Sequence, residues 1–276
     1  MVTRSKKFHD HPDQSYQKTQ RVQKQIKTQE SESSIDLEKP QTEKHTSQNM
    51  GNSLKIKLDH LKTFEPLTEN QKIFFDAYDK GSYAFMLYGS AGTGKSFIAL
   101  YKALEEVLDK GNPFKKLVII RSSVPSRDSG FLPGSLEEKN AIYEEPYKQI
   151  CADLFGRSDA YDRLKEQGYI EFLSTSYLRG TTFNDSIIFF DEFQSATWHE
   201  DRTILSRTGT RSKLILSGDF SQNDLIKSKN DQSGFHDLFA VATEMDEFDM
   251  IQFTTNDIVR SSFTKNFIIA CEKLGL

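Results

Sequence analysis

The sequence predicts an α/β fold: a mainly parallel sheet with helices on both faces. Two observations carry that expectation. Six short runs, at 83–88, 117–120, 169–173, 187–190, 214–216 and 250–253, are strand-like, most of them apolar on both faces. Such runs mark strands buried on both sides. Segments with helical spacing and clear start or stop signals lie between most of them, as parallel strands require.

The elements follow in order. Pro66 breaks the chain, and Thr68 can cap a helix that opens at Glu69, with Gln71 three residues after the cap. That helix carries Ile73, Phe74, Ala77 and Tyr78 at helical spacing and stops at Gly81. The first strand stops at Gly89, and a helix is expected from Ser96 to Leu108, ended by Asp109-Lys110-Gly111-Asn112-Pro113. After the second strand, 121–135 reads as a polar loop and 136–155 as a helix. The fourth strand, Ile187-Ile188-Phe189-Phe190, runs into Asp191-Glu192, and a helix is expected through Leu205. The fifth runs into Ser217-Gly218-Asp219. Helices at 235–242 and 261–274 flank the last strand.

Composition separates two regions of the 276 residues. Residues 1–50 hold nine hydrophobic residues, eight glutamines and no glycine. That is too little apolar surface to offset the entropy of ordering, so 1–52 is expected to be a disordered polar tail. Residues 53–276 are long enough for one α/β core. No run of eighteen apolar residues exists, and no apolar stretch follows the basic N-terminus, so neither a membrane span nor a secretory signal is expected. Cys151 and Cys271 lie far apart, which suits a reducing cytoplasm better than a disulfide scaffold or zinc site. The net charge of −4 splits into nine basic against seven acidic residues in the tail and 27 against 33 beyond it. Global charge therefore gives no support for nucleic-acid binding, although a local basic groove stays open.

The chemistry concentrates in four places. Gly89-Ser90-Ala91-Gly92-Thr93-Gly94-Lys95-Ser96 fits G-x-x-x-x-G-K-[ST]. Small residues let the backbone curl so that several N–H groups face one phosphate, and the following helix adds its positive end. Lys95 can reach the β- and γ-phosphates, and the Ser96 hydroxyl can coordinate Mg2+. Asp191 would hold the same metal ion, and Glu192 would polarise the attacking water. At the next strand end, Asp219 or Gln222 is the candidate γ-phosphate sensor; the alternative is an ordinary turn. Arg260, just before the last helix, is either a γ-phosphate contact in cis or from a neighbouring subunit, or a helix-start arginine paired with a surface carboxylate.

Together these features resemble the PhoH-like family of P-loop ATPases, relatives of the superfamily-one helicases. The resemblance spans about residues 64–275. It rests on Leu67-Thr68-Glu69-Asn70-Gln71, the phosphate loop, Ser129-Gly130-Phe131-Leu132-Pro133-Gly134-Ser135-Leu136-Glu137-Glu138-Lys139, Leu178-Arg179-Gly180-Thr181-Thr182-Phe183 with Asp191-Glu192-Phe193-Gln194, and Gly218-Asp219 to Gln222 with Arg260. It implies a RecA-like core, ATP as the nucleotide, and an adenine-reading role for Gln71, which from the residues alone is a capping-box glutamine. Three positions depart from the family pattern. Phe193 stands where alanine is usual and is expected to reshape the packing behind the metal site, and Ser195 stands where asparagine is usual. Ser122 follows Arg121 where proline is usual. The loop 121–125 is a candidate nucleic-acid contact, or equally a nucleotide-site or subunit contact. Short single-domain members resemble phage-encoded ones, which implies a cytoplasmic protein, in the host's cytoplasm for a phage chain.

The leading expectation is Mg-dependent ATP hydrolysis by a single RecA-like domain, coupled to RNA or single-stranded DNA. Lys95, Glu192, Arg260 and Gln222 are its catalytic set. Gln71, Gly89 to Ser96 and Asp219 are its nucleotide contacts. One domain supplies half of an inter-domain ATP site, so a homo-oligomer with shared sites is expected. A nucleotide-gated binding or assembly module with little turnover is the alternative; a nucleotide kinase would need a lid and an acceptor pocket.

Overall fold

Strand-forming residues dominate six segments: β1 (Ala84–Gly89), β2 (Lys116–Arg121), β3 (Ile170–Ser174), β4 (Ser186–Asp191), β5 (Lys213–Gly218) and β6 (Phe248–Phe253). In this computed structural model the described residues are 55–122, 136–175, 178, 180, 182–219 and 234–274, with backbone alone at 136–140. The strands form one sheet in the order β3-β2-β4-β5-β1-β6, and every pairing is parallel. This is the α/β sheet expected of a RecA-like core. The strand leading into the phosphate loop (β1) and the strand ending in the acidic pair (β4) are separated by β5.

Alternate residues of each strand feed two cores. Phe85, Leu117, Phe189 and Ile215 pack on one face against α1 (Glu69–Asp79), α2 (Lys95–Leu108), α3 (Leu136–Phe155) and α4 (Ala160–Glu166). Met86, Val118, Phe190 and Leu216 pack on the other against α5 (Trp198–Leu205) and α6 (Phe235–Thr243). Side chains such as Phe85, Phe189 and Phe190 are fully buried, and each contributes about 1.5–3 kcal/mol. The last helix, α7 (Ser262–Leu274), buries no residue fully and leaves Phe263 and Phe267 exposed.

Two local readings need correction. In α1, Thr68 caps as expected by accepting from the Gln71 amide, but the buried stripe is Gln71, Phe74 and Tyr78, and Ile73 is exposed. The helix α4 was not foreseen. It has seven residues and follows Gly156-Arg157-Ser158-Asp159, a stretch that reads as loop.

The second face holds one unusual group. Asp201, on α5, is fully buried, and among the described residues neither carboxylate oxygen has a hydrogen-bond partner. Burial, then the charges of Glu200 and Asp237, pushes its carboxyl up to about 8.

Candidate nucleotide site

The site is built where β1 stops and α2 starts. At Gly89 φ is 115°, and a Cβ would lie 2.0 Å from the Phe253 carbonyl oxygen of β6. Only glycine lets the chain turn so close to its neighbour. The next residue locks the turn, because Ser90 N donates to the same Phe253 oxygen at 3.0 Å. Gly94 is the N-cap of α2 in the left-handed region, at φ 83°, and offers no capping side chain. The first amides of α2 are therefore free of a local cap and carry the helix's positive end.

Lys95 folds over this loop. Its Nζ donates to the carbonyls of Gly89 (2.9 Å) and Ser90 (2.7 Å) and to Thr93 Oγ1 (3.5 Å). Burial pushes its ammonium below the usual lysine range, while the charges of Asp219, Glu192 and Asp191 push the other way. Ser96, one residue on, donates from Oγ to Asp191 Oδ1 at 3.0 Å. Register explains the meeting: Asp191 ends β4 beside Ser217 of β5 and Arg121 of β2.

Glu192 follows in the left-handed region, at φ 53°, and that kink turns the chain off the sheet into a short 3-10 turn, Phe193–Ser195. Burial, then the charge of Asp191, raises its carboxyl above the usual range; a Gln194 hydrogen bond, Arg121 and Lys95 oppose this. Gln194 joins two strand ends. Its Nε2 donates to Glu192, and its Oε1 accepts from the Asp219 amide at 3.1 Å. Phe193 turns away from the metal site into the second core, stacked on Phe235 with ring centroids 5.4 Å apart. The departure at this position therefore acts on Gly218, whose Cβ would lie 2.6 Å from the Phe193 ring.

Gln71 ties α1 to the loop. Its Nε2 donates to the Thr93 carbonyl at 2.9 Å, and its Oε1 accepts from Leu67 N at 2.8 Å. These two partners fix which end of the amide is which, and one N–H and one lone pair remain for a further partner. Arg260 packs on the loop, with its Cγ 3.0 Å from where a Gly92 Cβ would stand, and Val259 N donates to the Gly92 carbonyl at 3.1 Å. Arg260 is exposed and forms no ion pair among the described residues, unlike the helix-start pairing left open above.

A cavity of about 810 Å³ gathers these groups, lined by Gln71, Ala91 to Ser96, Arg121, Asp191, Glu192, Gly218, Asp219 and Arg260. Its volume suits a small-molecule ligand. Gln222, residues 123–125, residues 129–135 and Arg179 lie outside the described residues. A hydroxyl and a carboxylate oxygen 3.0 Å apart are hard donors of the kind Mg2+ accepts, since it keeps most of its water. The chemistry of the donor set therefore fits the metal.

Sequence reasoning missed Tyr147. It is fully buried on α3 and donates from its hydroxyl to Asp191 Oδ2 at 3.0 Å. Arg121, expected in the polar loop, instead ends β2 and lies 5.9 Å from the Tyr143 ring centroid. The only signal was helical spacing among Tyr143, Tyr147 and Cys151, which reads as core.

A glycine-rich phosphate loop heading a helix, with an acidic strand end facing it, defines a P-loop NTPase-type domain. The family model described as PhoH-like protein matches residues 63–272, and the chain belongs to that family. It is 35% identical over 217 residues to the PhoH-like protein of Bacillus subtilis (strain 168), covering 77% of this chain and 65% of that one. It is 32% identical over 210 residues to the PhoH-like protein of Mycobacterium tuberculosis (strain ATCC 25618 / H37Rv), covering 76% and 58%. It is 30% identical over 184 residues to Protein PhoH of Escherichia coli (strain K12), covering 66% and 51%. The chain thus spans less than two thirds of each of these relatives. The crystal structure of the Pif1 helicase from Candida albicans aligns over 77% of this chain and 44% of that one, with TM-score 0.38 and 15% identity. Among the described residues no helix is long and apolar enough to cross a membrane.

Proposed function

We propose that this domain hydrolyses Mg-ATP and couples the reaction to RNA or single-stranded DNA, as one subunit of a homo-oligomer with shared sites. The observation that carries the reading is the convergence of Lys95, Ser96, Asp191 and Glu192 on one cavity from two separated strands. Gly89 to Ser96 would cradle the phosphates through backbone amides and the α2 N-terminus. Lys95 is held by neutral acceptors that it can exchange for phosphate oxygens. Ser96 and Asp191 would hold Mg2+, which when bound neutralises charge on the β- and γ-phosphates. Glu192, with its carboxyl raised, would orient water and accept its proton. Arg260, on the loop's rim, would meet the γ-phosphate, and the free hydrogen-bonding capacity of Gln71 would meet adenine.

Steady-state phosphate release from Mg-ATP, with and without single-stranded RNA, tests this beside Lys95→Ala. Release that RNA raises and the variant loses is the expected result. No release above the variant would leave the nucleotide-gated assembly module instead. Glu192→Gln should bind nucleotide normally while turnover falls about 10²–10⁴-fold; wild-type turnover would remove its assignment as base.

A further inference from the structure

Asp191 is hydrogen-bonded through both carboxylate oxygens. Ser96 reaches Oδ1 from the phosphate-loop side, and Tyr147 reaches Oδ2 from the core side, each at 3.0 Å. The tyrosine is the odd partner. Its ring lies in the first core, with ring centroids 6.0 Å from Phe172 and 6.4 Å from Phe189, and a phenylalanine would fill that space as well. A buried hydroxyl is costly unless it is bonded, so the group is explained by what it holds. Arg121 sits beside Asp191 in the sheet register. The result is one directed contact from the core, Tyr147 to Asp191.

We propose that Tyr147 is a positioning residue for the metal site: it pins Asp191 Oδ2 to the core side, so that Oδ1 is the oxygen presented to Mg2+ or its waters. This rests on the Mg-ATP reading above. If Ser96 exchanged Asp191 for the metal, Tyr147 would keep its bond, and the carboxylate would not have to be ordered on binding. Groups that orient a metal ligand in this way are worth about 10–100-fold in metal affinity or activity.

The test measures binding of a fluorescent, non-hydrolysable ATP analogue as a function of Mg2+ concentration, alongside turnover. Tyr147→Phe should need about tenfold more Mg2+ for half-maximal binding. Its analogue affinity in EDTA should match wild type, and turnover at saturating Mg2+ should be largely restored. Cys151→Ala removes a buried neighbour one turn along the same helix and should lower thermal stability without moving the Mg2+ midpoint. Asp191→Asn sets the scale by losing most of the Mg2+ dependence. If wild type depends on Mg2+, Asp191→Asn does not, and Tyr147→Phe tracks wild type, the positioning role is overturned and the Mg-ATP reading stands. If Cys151→Ala shifts the midpoint as far as Tyr147→Phe, the effect is packing and the role again falls. If wild-type binding ignores Mg2+, the functional reading fails and takes this role with it.

Discussion

Lys95 and Lys213 are both buried, and burial pushes both ammonium groups below the usual lysine range, yet they are held in opposite ways. Lys213, at the start of β5, pairs with Glu106 at 2.7 Å and stands 3.6 Å from the centroid of the Tyr78 ring. Tyr78 donates to the same carboxylate. Lys102 lies close by, paired with Asp79 and Glu105. Both of these lysines have an anion. Lys95, at the other end, has among the described residues only carbonyls and a hydroxyl as hydrogen-bond partners, although three carboxylates influence it. A lysine kept by neutral acceptors retains most of its charge for a phosphate; one closed in an ion pair does not. The same residue type is thus structural at one end and available for chemistry at the other.

That contrast breaks most sharply at Lys95. Lys95→Ala should cut turnover about 10²–10³-fold or more while changing the melting temperature by only a few degrees, since it releases neutral acceptors. A collapse in stability comparable to the activity loss, read by calorimetry, would place Lys95 in the structural class. Lys213→Met should do the reverse. Removing one partner strands Glu106, which is partly exposed, at a cost of about 2–4 kcal/mol, or about 5–10 °C for a domain of this size. Nucleotide affinity measured below the melting transition should stay at the wild-type value; a tenfold loss would show that the two ends are coupled.

The smallest effect concerns Asp201, the carboxyl that neither end serves. Its folded value of about 8 lies above the ordinary aspartate value of about 3.9. Its contribution is therefore complete below about pH 4 and is lost as pH rises through about 8. Asp201→Asn should melt at or slightly below wild type at pH 5 and several degrees above it at pH 9. Parallel melting curves across that range would mean the carboxylate has found a partner.

How much of this was legible follows from distance along the chain. The phosphate loop and the acidic pair were legible because their chemistry depends on neighbours within eight residues, and the strand ends that carry them are marked by glycine and by charge. Tyr147 was not, because 44 residues separate it from Asp191 and its spacing is that of a core tyrosine. Ile73 misleads because a helical stripe reads as apolar, whereas α1 turns a glutamine inward to reach the Thr93 carbonyl. The loop at Arg121 misleads for the related reason that a charged residue at a strand end reads as outward. Here Arg121 ends β2 beside Asp191, with its guanidinium 5.9 Å from the Tyr143 ring centroid.

The placement of β1 has a consequence for how the molecule is made. Its two neighbours are β5 and β6, Gly89 turns against Phe253, and Asn70 reaches Asp257 across 187 residues. At about 5–20 residues per second of synthesis, the partners of Gly89 emerge on the order of 10–30 s after it does. During that interval the glycine turn is a stretch of nascent chain with nothing to be shaped against. A ligand of the loop cannot help the early chain to fold; it can stabilise by mass action only once the last strand has docked. The first motif to be translated is the last to become a site.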